Sequence, residues 1–528
     1  MIIIGNDPIR PHGFCLFLHG KRPVGIAPFL TLADKWSEVG CYRFDADHMV
    51  SLVLYWVGAK DASFLADNVR WLQDAESRIH HLVQERLRRM RAVDGNIAVM
   101  NRRLAMRGAR LHPYQEVGAH ALAAASRLLL ADEMGLGKTL QVLAAIAPQS
   151  PAIVVCPAAL KRLVWGRAIE ELRPDLCPTY PEELTRWPMT SEVMVVNPER
   201  LFRATPPPAD LSRLHLVADE AHIFSTINKK AQRYQGYSRL RQHVTESGGS
   251  AWEITGSPFL NRPRELAALL EAGGLFKSSF GTFGRFYKAF GGRKNFFGHT
   301  EWDGPTPAAH EMLRRVMVRR KREDVLPDLP KKAYASVVMD DSAQAAAALD
   351  ELSTLIGADF DWSSLPSHPR FTEISHCRAL LAQAKIPTAL SLATSYVEQD
   401  EPLVVFADHV KPVVAMEKLG FSVVIGGMSE RARSEAIDRF TSGKVPGIAL
   451  TIGAGGTGIS LVRAAHMLFV SRSYVPQLNA QAEDRITRIG QNRPVTITSI
   501  VADHHLDRRL EEINQEKIRM ISTAVDGG

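Results

Sequence analysis

The sequence predicts an α/β protein with two tandem parallel-sheet lobes that carry helical protrusions, preceded by an α+β accessory domain. Two series of short apolar runs alternate with helical patterns, an order typical of parallel sheets covered by helices. At 528 residues the chain is also too long for a single hydrophobic core. We therefore divide it into an accessory domain, a first lobe and a second lobe, covering residues 1–104, 105–340 and 341–528.

The accessory domain has a pattern of its own. Apolar runs at 15–18 and 49–56 predict strands, and apolar residues then recur at helical spacing from Leu72 to Met90. The opposite face of that helix is basic, which suits either a solvated surface or a contact with the DNA backbone. The arginines on this face are Arg78, Arg86, Arg88, Arg89 and Arg91.

Each lobe is predicted to contain several buried strands, which are recognised as mainly apolar runs bounded by turn residues. The first lobe has them at 127–131, 153–156, 193–196 and 214–218. The second has them at 403–406, 422–425, 448–451 and 467–470.

Composition narrows the class of protein. The five cysteines lie far apart with no CxxC pair, which argues against a zinc site or a disulfide framework. We expect no membrane span and no secretory signal, and hence a reducing compartment: cytoplasm or nucleoid in a prokaryote or virus, nucleus in a eukaryote. A net charge of +7 suits a partner that carries phosphates.

A glycine-rich turn is the strongest chemical signal. A predicted strand runs into Asp-Glu-Met-Gly-Leu-Gly-Lys-Thr at 132–139, and a helical pattern starts at once. Backbone N–H groups of such a turn, with Gly135 and Gly137, can surround a phosphate. Lys138 would reach the β- and γ-phosphates, and Thr139 would hold Mg²⁺ through its hydroxyl. The turn therefore predicts a nucleotide site with ATP and Mg²⁺ as cofactors.

A pair of acids follows the last predicted strand before residue 219. A carboxylate at a strand end opposite a phosphate loop can hold Mg²⁺, which assigns that role to Asp219. Glu220 is placed to orient or deprotonate the attacking water. Together the two motifs predict a nucleotide hydrolase.

Several segments resemble one family of motors, the Swi/Snf-type ATPases of helicase superfamily 2. Asp132 stands where the strict phosphate-loop pattern has glycine, as in that family. The segment at 318–331 resembles the family's arginine-rich linker ending in Leu-Pro-Lys, and 255–258 resembles its Thr-Gly-Ser-Pro element. The resemblance implies RecA-like lobes with helical protrusions, and thus a protrusion core for the Phe-rich run at 276–290. Gln115 would pair with the adenine base.

The second lobe resembles the family's other half of the site. Arg485 and Arg488 match its arginine-finger helix, with Gln481 on the same helix and Gly458 in a Gly-rich turn contributing to nucleotide binding. Two guanidiniums so spaced can neutralise charge developing on the γ-phosphate. This chain has Thr487 where relatives usually have His. The segment 475–485 looks most similar to the HepA-related, annealing-helicase branch.

The resemblance also implies where DNA is held. Contacts to the DNA backbone would come from Pro157, Lys161 and Trp165 in the first lobe and from Gly455, Gly456 and Thr457 in the second. These contacts would be sequence-independent.

The resulting prediction is a DNA-dependent ATPase that moves along double-stranded or branched DNA as a monomer, with no membrane partner. Three alternatives stay open at this point. They are a strand-separating or strand-annealing helicase, an ATPase whose target is a DNA-bound protein complex, and a nucleic-acid-binding module with an inactive nucleotide site.

Overall fold

The computed structural model describes most of the two lobes and parts of the accessory domain. The described residues are 2–6, 14–18, 34–36, 41–44, 49, 53, 69–71, 74–203, 211–225, 230–258, 263–294, 300–327, 329–339, 342–355, 370–455, 459–488 and 490–502.

A five-stranded mixed sheet forms the N-terminal part. Its strands are β1 (Ile2–Asn6), β2 (Phe14–Leu18), β3 (Asp34–Trp36), β4 (Cys41–Phe44) and β5 (Val69–Trp71), in the order β3-β4-β2-β1-β5. The predicted strand at 15–18 is confirmed. The predicted strand at 49–56 is wrong at its two described residues, because Met49 and Val53 are helical and both buried.

A long helix, Ala75–Ala105, joins this sheet to the first lobe and packs on it. The basic face of this helix was expected to be either a solvated surface or a contact with the DNA backbone. Neither interpretation fits the arginines of this face that are buried against the first lobe. Arg86 and Arg89 are buried. Arg86 Nη2 donates to Ser126 Oγ at 2.6 Å, and Arg88 Nη2 donates to Ser150 Oγ at 3.0 Å. Sequence periodicity identified the helix but not the lobe that covers its basic side.

The first lobe has a seven-stranded, wholly parallel sheet with the order β14-β6-β11-β10-β7-β9-β8, and an antiparallel hairpin β12-β13. Apolar clusters cover both faces of the sheet, as parallel sheets require. The strands are β6 (Arg127–Leu130), β7 (Ala152–Val155), β8 (Cys177–Thr179), β9 (Glu192–Val196), β10 (His215–Asp219), β11 (Ser250–Ile254), β12 (Gly292–Lys294), β13 (Thr300–Trp302) and β14 (Met317–Val318).

Helices of the first lobe surround this sheet. Phe276, Phe280, Phe286 and Phe290 are buried in the apolar cluster that covers one face of the sheet, and Phe283 packs on Phe276 from the outside. Their predicted role as core is confirmed, and their placement in a protrusion stays a prediction. The α-helices are Pro113–Ala124, Lys138–Ala145, Arg167–Leu172, Gln232–Glu246, Pro263–Ala272, Phe276–Ser279, Phe283–Ala289, Pro307–Leu313 and Arg322–Val325.

The second lobe has a six-stranded parallel sheet with the order β15-β20-β19-β16-β18-β17. Its strands are β15 (Lys332–Val338), β16 (Leu403–Ala407), β17 (Ser422–Val424), β18 (Gly447–Thr451), β19 (His466–Phe469) and β20 (Val495–Val501). Its helices are Ala343–Leu355, Phe371–Ala384, Ile386–Glu398, Val410–Ala415, Glu430–Thr441, Ile452–Gly455 and Pro476–Glu483.

The two predicted parallel α/β lobes and their helical additions are thus confirmed. The strand β15, which the division at residue 340 leaves with the first lobe, lies in the sheet of the second. Among the residues described above, we find no helix with the length and apolar character needed to cross a membrane.

Candidate active site

The phosphate loop lies between β6 and the helix that begins at Lys138. It turns at Gly135 and Gly137, whose φ angles are 82° and 67°, a region that residues with a Cβ avoid. Lys138 Nζ lies over the loop, 2.7 Å from the carbonyl oxygen of Asp132, and Thr139 follows it in the first helical turn. Burial lowers the pKa of Lys138, although nearby carboxylates oppose the shift. The loop therefore presents helix-start N–H groups and one buried ammonium group to an anion.

The predicted acid pair lies at the end of β10. Asp219 Oδ1 accepts the backbone N–H of Glu220 at 3.0 Å, and its Oδ2 accepts the indole N–H of Trp165 at 2.8 Å. Glu220 has left-handed backbone angles, φ 51° and ψ 47°, which cost a non-glycine residue roughly 1–3 kcal/mol. Its Oε2 lies 3.3 Å from His222 Nδ1, which lies 3.3 Å from Thr255 Oγ1. The acid pair is thus linked to the strand end at Thr255.

The two carboxylates have opposite pKa shifts. Burial raises the pKa of Asp219 to about 6, and the charge of Glu220 adds to this. Burial would also raise the pKa of Glu220. That pKa is instead lowered, because the hydrogen bond from His222 and the charges of Lys138 and Arg485 favour the carboxylate. Glu220 therefore stays anionic to lower pH than Asp219 and can accept a proton, and a cation beside Asp219 would favour the ionised form of that carboxylate as well.

Two arginines of the second lobe reach the first. Arg485 is buried, and its charge acts on Glu220 across the interface between the lobes. Burial, followed by repulsion from Arg488, lowers the pKa of Arg485 to about 10. Arg488 Cγ lies 3.9 Å from the position that a Cβ on Gly135 would occupy. The structure therefore brings the phosphate loop, Glu220 and both predicted arginine fingers to one place.

The other predicted nucleotide contacts of the second lobe are less defined. Gln481 is buried on the helix Pro476–Glu483, and its Nε2 makes no hydrogen bond to any described residue. Gly458 lies outside the described residues. Their contact with nucleotide stays a prediction.

Two residues that we predicted at the nucleotide pack beneath the loop. Asp132 is wholly buried, and its two oxygens accept bonds from Arg320 Nε and Nη2 at 2.9 and 2.8 Å. This ion pair occupies the Asp132 carboxylate, so contact between Asp132 and nucleotide stays a prediction that concerns its backbone. Gln115 is also buried, and its Nε2 donates to the carbonyl of Leu136 at 3.1 Å. Adenine recognition by Gln115 stays a prediction that requires this bond to exchange.

The arginine-rich linker at 318–331 begins as part of the first lobe. Its Arg320 is the partner of Asp132, and Arg319 Nη1 donates to the carbonyls of Ala131 at 2.7 Å and Gly256 at 3.2 Å. Both arginines therefore fasten the linker to the base of the phosphate loop.

Arg322 crosses from the phosphate loop to the second lobe. Its backbone N–H donates to Glu133 Oε2 at 2.6 Å, and its Nη2 donates to the carbonyl of Met134 at 2.7 Å. The same Nη2 lies 2.7 Å from Asp484 Oδ1, and Nη1 donates to Thr487 Oγ1 at 3.1 Å. One guanidinium group thus joins the loop to the turn that follows the helix Pro476–Glu483. Arg485 and Arg488 lie in this turn, so the prediction that a helix carries both arginines is wrong.

Lys332 completes this interface from the end of the linker. Its Nζ lies 3.1 Å from Asp484 Oδ1 and 3.2 Å from Glu483 Oε2. Burial would raise the pKa of Asp484, but the charges of Lys332 and Arg322 hold that pKa at about 2. Beside these groups the lobes enclose a cleft of about 930 Å³, lined by the linker, Met134, Gly256 and Gln477.

The predicted DNA contacts of the first lobe divide into two kinds. Pro157 and Lys161 are half-buried at the surface after β7, where a backbone contact is feasible. Trp165 is wholly buried, so the prediction that it contacts DNA is wrong: its indole faces Asp219 instead. In the second lobe, Gly455 ends the helix Ile452–Gly455, and residues 456–457 lie outside the described residues.

Sequence reasoning missed the contacts of three side chains: the hydrogen bond from Trp165 to Asp219, the ion pair of Arg320 with Asp132, and the bonds of Arg322 to both lobes. A buried indole N–H usually needs an acceptor, so Trp165 carried a signal, but sequence does not say which acceptor. The sequence identified residues 318–331 as an arginine-rich linker but did not assign a partner to any single arginine. Only the structure shows that they bind carboxylates and carbonyls of the protein.

Comparison with known proteins gives the family. A family model described as the SNF2-related domain matches residues 66–350, just over half of the chain. The chain belongs to the SNF2-related family. A second model, described as the helicase conserved C-terminal domain, matches residues 384–490. The prediction of a Swi/Snf-type ATPase of helicase superfamily 2 is confirmed, and the two matched regions contain the two sides of the site.

This SNF2-family chain spans between 40% and 61% of the length of the curated relatives that it matches. Human DNA annealing helicase and endonuclease ZRANB3 is 28% identical over 456 residues, covering 79% of this chain and 41% of that protein. The Drosophila melanogaster SWI/SNF-related matrix-associated actin-dependent regulator of chromatin subfamily A-like protein 1 is 26% identical, covering 78% and 56%. An uncharacterized ATP-dependent helicase of Mycoplasma pneumoniae is 24% identical, covering 75% and 40%.

Among solved structures, the Sulfolobus solfataricus SWI2/SNF2 ATPase core in complex with dsDNA is 20% identical to the chain. The match covers 80% of this chain and 94% of that one, with a TM-score of 0.35.

Proposed function

We propose that this SNF2-family protein hydrolyses ATP in response to DNA and uses the energy to move along double-stranded DNA. The observation that carries the proposal is the assembled split site. Lys138 and Glu220 come from the first lobe, and Arg485, whose charge lowers the pKa of Glu220, comes from the second. A site completed only by contact between lobes couples nucleotide turnover to lobe movement.

Mg²⁺ fits the oxygen ligands on the first lobe. Asp219 supplies a buried carboxylate and Thr139 a hydroxyl, both hard ligands that Mg²⁺ prefers. Among the described residues no cluster of three acidic, histidine or cysteine side chains forms a complete metal cage. This suits Mg²⁺ in particular, which is usually held by one or two carboxylates plus substrate phosphates. When bound, it would neutralise charge on the β- and γ-phosphates.

The protein groups then have separate tasks. Lys138 and the loop N–H groups bind the phosphates, and Glu220 accepts a proton from the attacking water. Arg485 and Arg488 stabilise the charge that develops during transfer. Because these arginines belong to the second lobe, the transition state is stabilised only while the lobes are in contact.

DNA as the partner is supported by family membership, by the net charge of +7 and by the surface position of Pro157 and Lys161. Such contacts address phosphates, so binding would be insensitive to sequence and weakened by salt.

The test is a steady-state ATPase titration of the whole chain against duplex DNA, single-stranded DNA, forked DNA and RNA. We expect duplex and forked DNA to stimulate turnover more than single strands or RNA. We also expect Lys138→Ala and Glu220→Gln to lower kcat by roughly 10²-fold or more. Lys444→Ala and Glu435→Gln, at exposed positions, are matched controls. Near-normal turnover in either active-site variant would exclude the proposed site, and stimulation by RNA alone would exclude DNA as the track.

Strand annealing is a second candidate, because the human, bovine and mouse relatives are named DNA annealing helicase and endonuclease. The same preparation can be tested with complementary strands carrying a fluorophore and a quencher, with and without ATP. ATP-dependent pairing would favour annealing. Translocation without pairing, read from displacement of a triplex-forming strand, would favour the motor alone.

A further inference from the structure

A helical segment with an irregular centre follows β7. It consists of a 3₁₀ turn at Ala158–Leu160, a π-helical turn at Lys161–Gly166 and the α-helix Arg167–Leu172. The backbone N–H of Arg167 donates to the carbonyl of Arg162, five residues earlier. π turns are rare and occur often at functional sites.

The π turn sets which residues face inward. Leu160, Trp165 and Ile169 are buried, at intervals of five and then four residues. The interval of five is that of the π turn, so the extra residue aims the Trp165 ring into the lobe. Gly166 is required beside it, because a Cβ there would meet the Tyr180 hydroxyl.

The inward-pointing Trp165 ring contacts the acid pair, Asp219 and Glu220, through Asp219. Trp165 Nε1 donates to Asp219 Oδ2 at 2.8 Å, while Asp219 Oδ1 accepts the Glu220 N–H at 3.0 Å. Each oxygen of Asp219 thus accepts one fixed bond, which sets the plane of the carboxylate and leaves the remaining lone pairs in a defined direction. Carboxylates that bind metals are commonly oriented in this way.

The outward side of the same segment is basic. Arg162 is exposed and stacks on the Tyr180 ring at 4.2 Å, and Lys161 is next to it. Pro157, at the start of the segment, is half-buried. A ligand bound on this side would contact a short segment whose other side holds Asp219 through Trp165.

We propose that Trp165 is a positioning residue that connects the DNA-facing side of residues 157–166 to the Mg²⁺ carboxylate Asp219. The proposal rests on the proposed function for the identity of both ligands. The indole bond sets the direction of the Asp219 carboxylate. Duplex DNA bound on the outer side of the segment shifts that bond and so changes how tightly Mg²⁺–nucleotide is held.

The first test compares Trp165→Phe with Trp252→Phe. Trp252 is equally buried in the same lobe, but its indole N–H donates to the carbonyl of Ala125 at 3.1 Å, away from the acid pair. Binding of a fluorescent ATP analogue is titrated with Mg²⁺, without and with duplex DNA. In Trp165→Phe we expect the half-saturating Mg²⁺ concentration to rise roughly 10-fold, unchanged binding of metal-free analogue, and no effect of DNA on the Mg²⁺ titration. Trp252→Phe should behave as the wild type.

Equal Mg²⁺ titrations in the two variants would overturn the proposal. These titrations need no hydrolysis, so they remain decisive if the chain proves not to be a DNA-stimulated ATPase. If the wild-type Mg²⁺ titration does not respond to DNA, the coupling is wrong even where the Mg²⁺ effect of Trp165→Phe is found.

A second measurement avoids any loss of folding in the variant. 5-Fluorotryptophan is incorporated at position 165 alone, or at position 252 alone, in the otherwise unchanged chain. On adding duplex DNA without nucleotide, we expect the ¹⁹F resonance of residue 165 to shift and that of residue 252 to stay. A fixed resonance at residue 165 would refute the connection between DNA and Asp219.

Discussion

Replacing Arg322 by alanine should cut turnover while leaving both lobes folded. The Arg322 side chain is 12% exposed and joins the Met134 carbonyl of the phosphate loop to Asp484 and Thr487 of the second lobe. Removal leaves the Asp484 carboxylate, itself 8% exposed, with Lys332 as its ion-pair partner. The interface between the lobes therefore loses its most direct connection to the loop.

The magnitude follows from these contacts. Breaking a buried ion pair costs about 3–5 kcal/mol when the remaining charge has no partner. Because Lys332 stays beside Asp484, we expect a smaller loss, about 2–3 kcal/mol, or roughly 30- to 150-fold in the closure equilibrium. Nucleotide still binds to the first lobe, so the loss should appear in kcat and much less in KM.

The assay is steady-state ATPase at saturating duplex DNA, with thermal unfolding as a check on folding. Arg314→Ala is the matched control, because Arg314 is exposed and lies 3.8 Å from the equally exposed Glu311. Arg322→Lys should fall in between, since one ammonium group keeps the charge but not the forked contact. A normal kcat in Arg322→Ala, or an equal fall in Arg314→Ala, would refute this account of the interface.

Three further predictions concern neighbouring polar groups. Thr487→Val removes one neutral acceptor of Arg322 and should lower kcat a few-fold, by about 1 kcal/mol. In the Arg322→Ala background the added loss should be smaller, because only the bonds from Thr487 to Glu483 and Asp484 are then left to lose; a fully additive loss in steady-state assays would contradict this. Asp132→Asn breaks the buried pair with Arg320 and should lower the melting temperature of the first lobe, whereas unchanged melting would mean that the pair does not stabilise the loop. Burial raises the pKa of Glu253 from 4.5 to about 8. The fold therefore favours the protonated form of Glu253, and the resulting stabilisation is complete below pH 4.5. This stabilisation, up to ~5 kcal/mol, is lost as the pH rises to 8. Glu253→Gln should therefore raise the melting temperature more at pH 9 than at pH 5, and a pH-independent difference would refute the assignment.

The strands of both lobes were predictable because their chemistry is local. Runs such as 128–131 and 403–406 are apolar throughout, which indicates a strand covered on both faces. The run at 49–56 shows the limit of this reasoning. It has the same composition, but Met49 and Val53 are helical, and apolar content alone does not separate a strand from a buried helix.

The site was predictable where backbone geometry requires particular residues. Gly135 and Gly137 are needed for positive φ, and Lys138 follows at the helix start. The side chains of Asp132 and Trp165 were misplaced for a common reason. Each residue is near a ligand-binding segment in sequence, but its side chain points into the lobe, and that direction depends on a π turn or an ion pair with a distant residue. Neither is encoded in local spacing.

The ionisation of Glu220 in the first lobe depends in part on a residue of the second lobe. Burial by itself would raise the pKa of Glu220 and make it a poor base at neutral pH. It stays anionic partly because Arg485 approaches from the second lobe, while Arg485 itself is buried at a cost that lowers its pKa to about 10. Arg485 is thus a charge on Glu220 that the second lobe supplies, whereas Lys138 and His222 belong to the first lobe. Under the proposed function, we expect separation of the lobes to withdraw Arg485 from Glu220 and from the bound nucleotide, and so to slow hydrolysis on the first lobe alone.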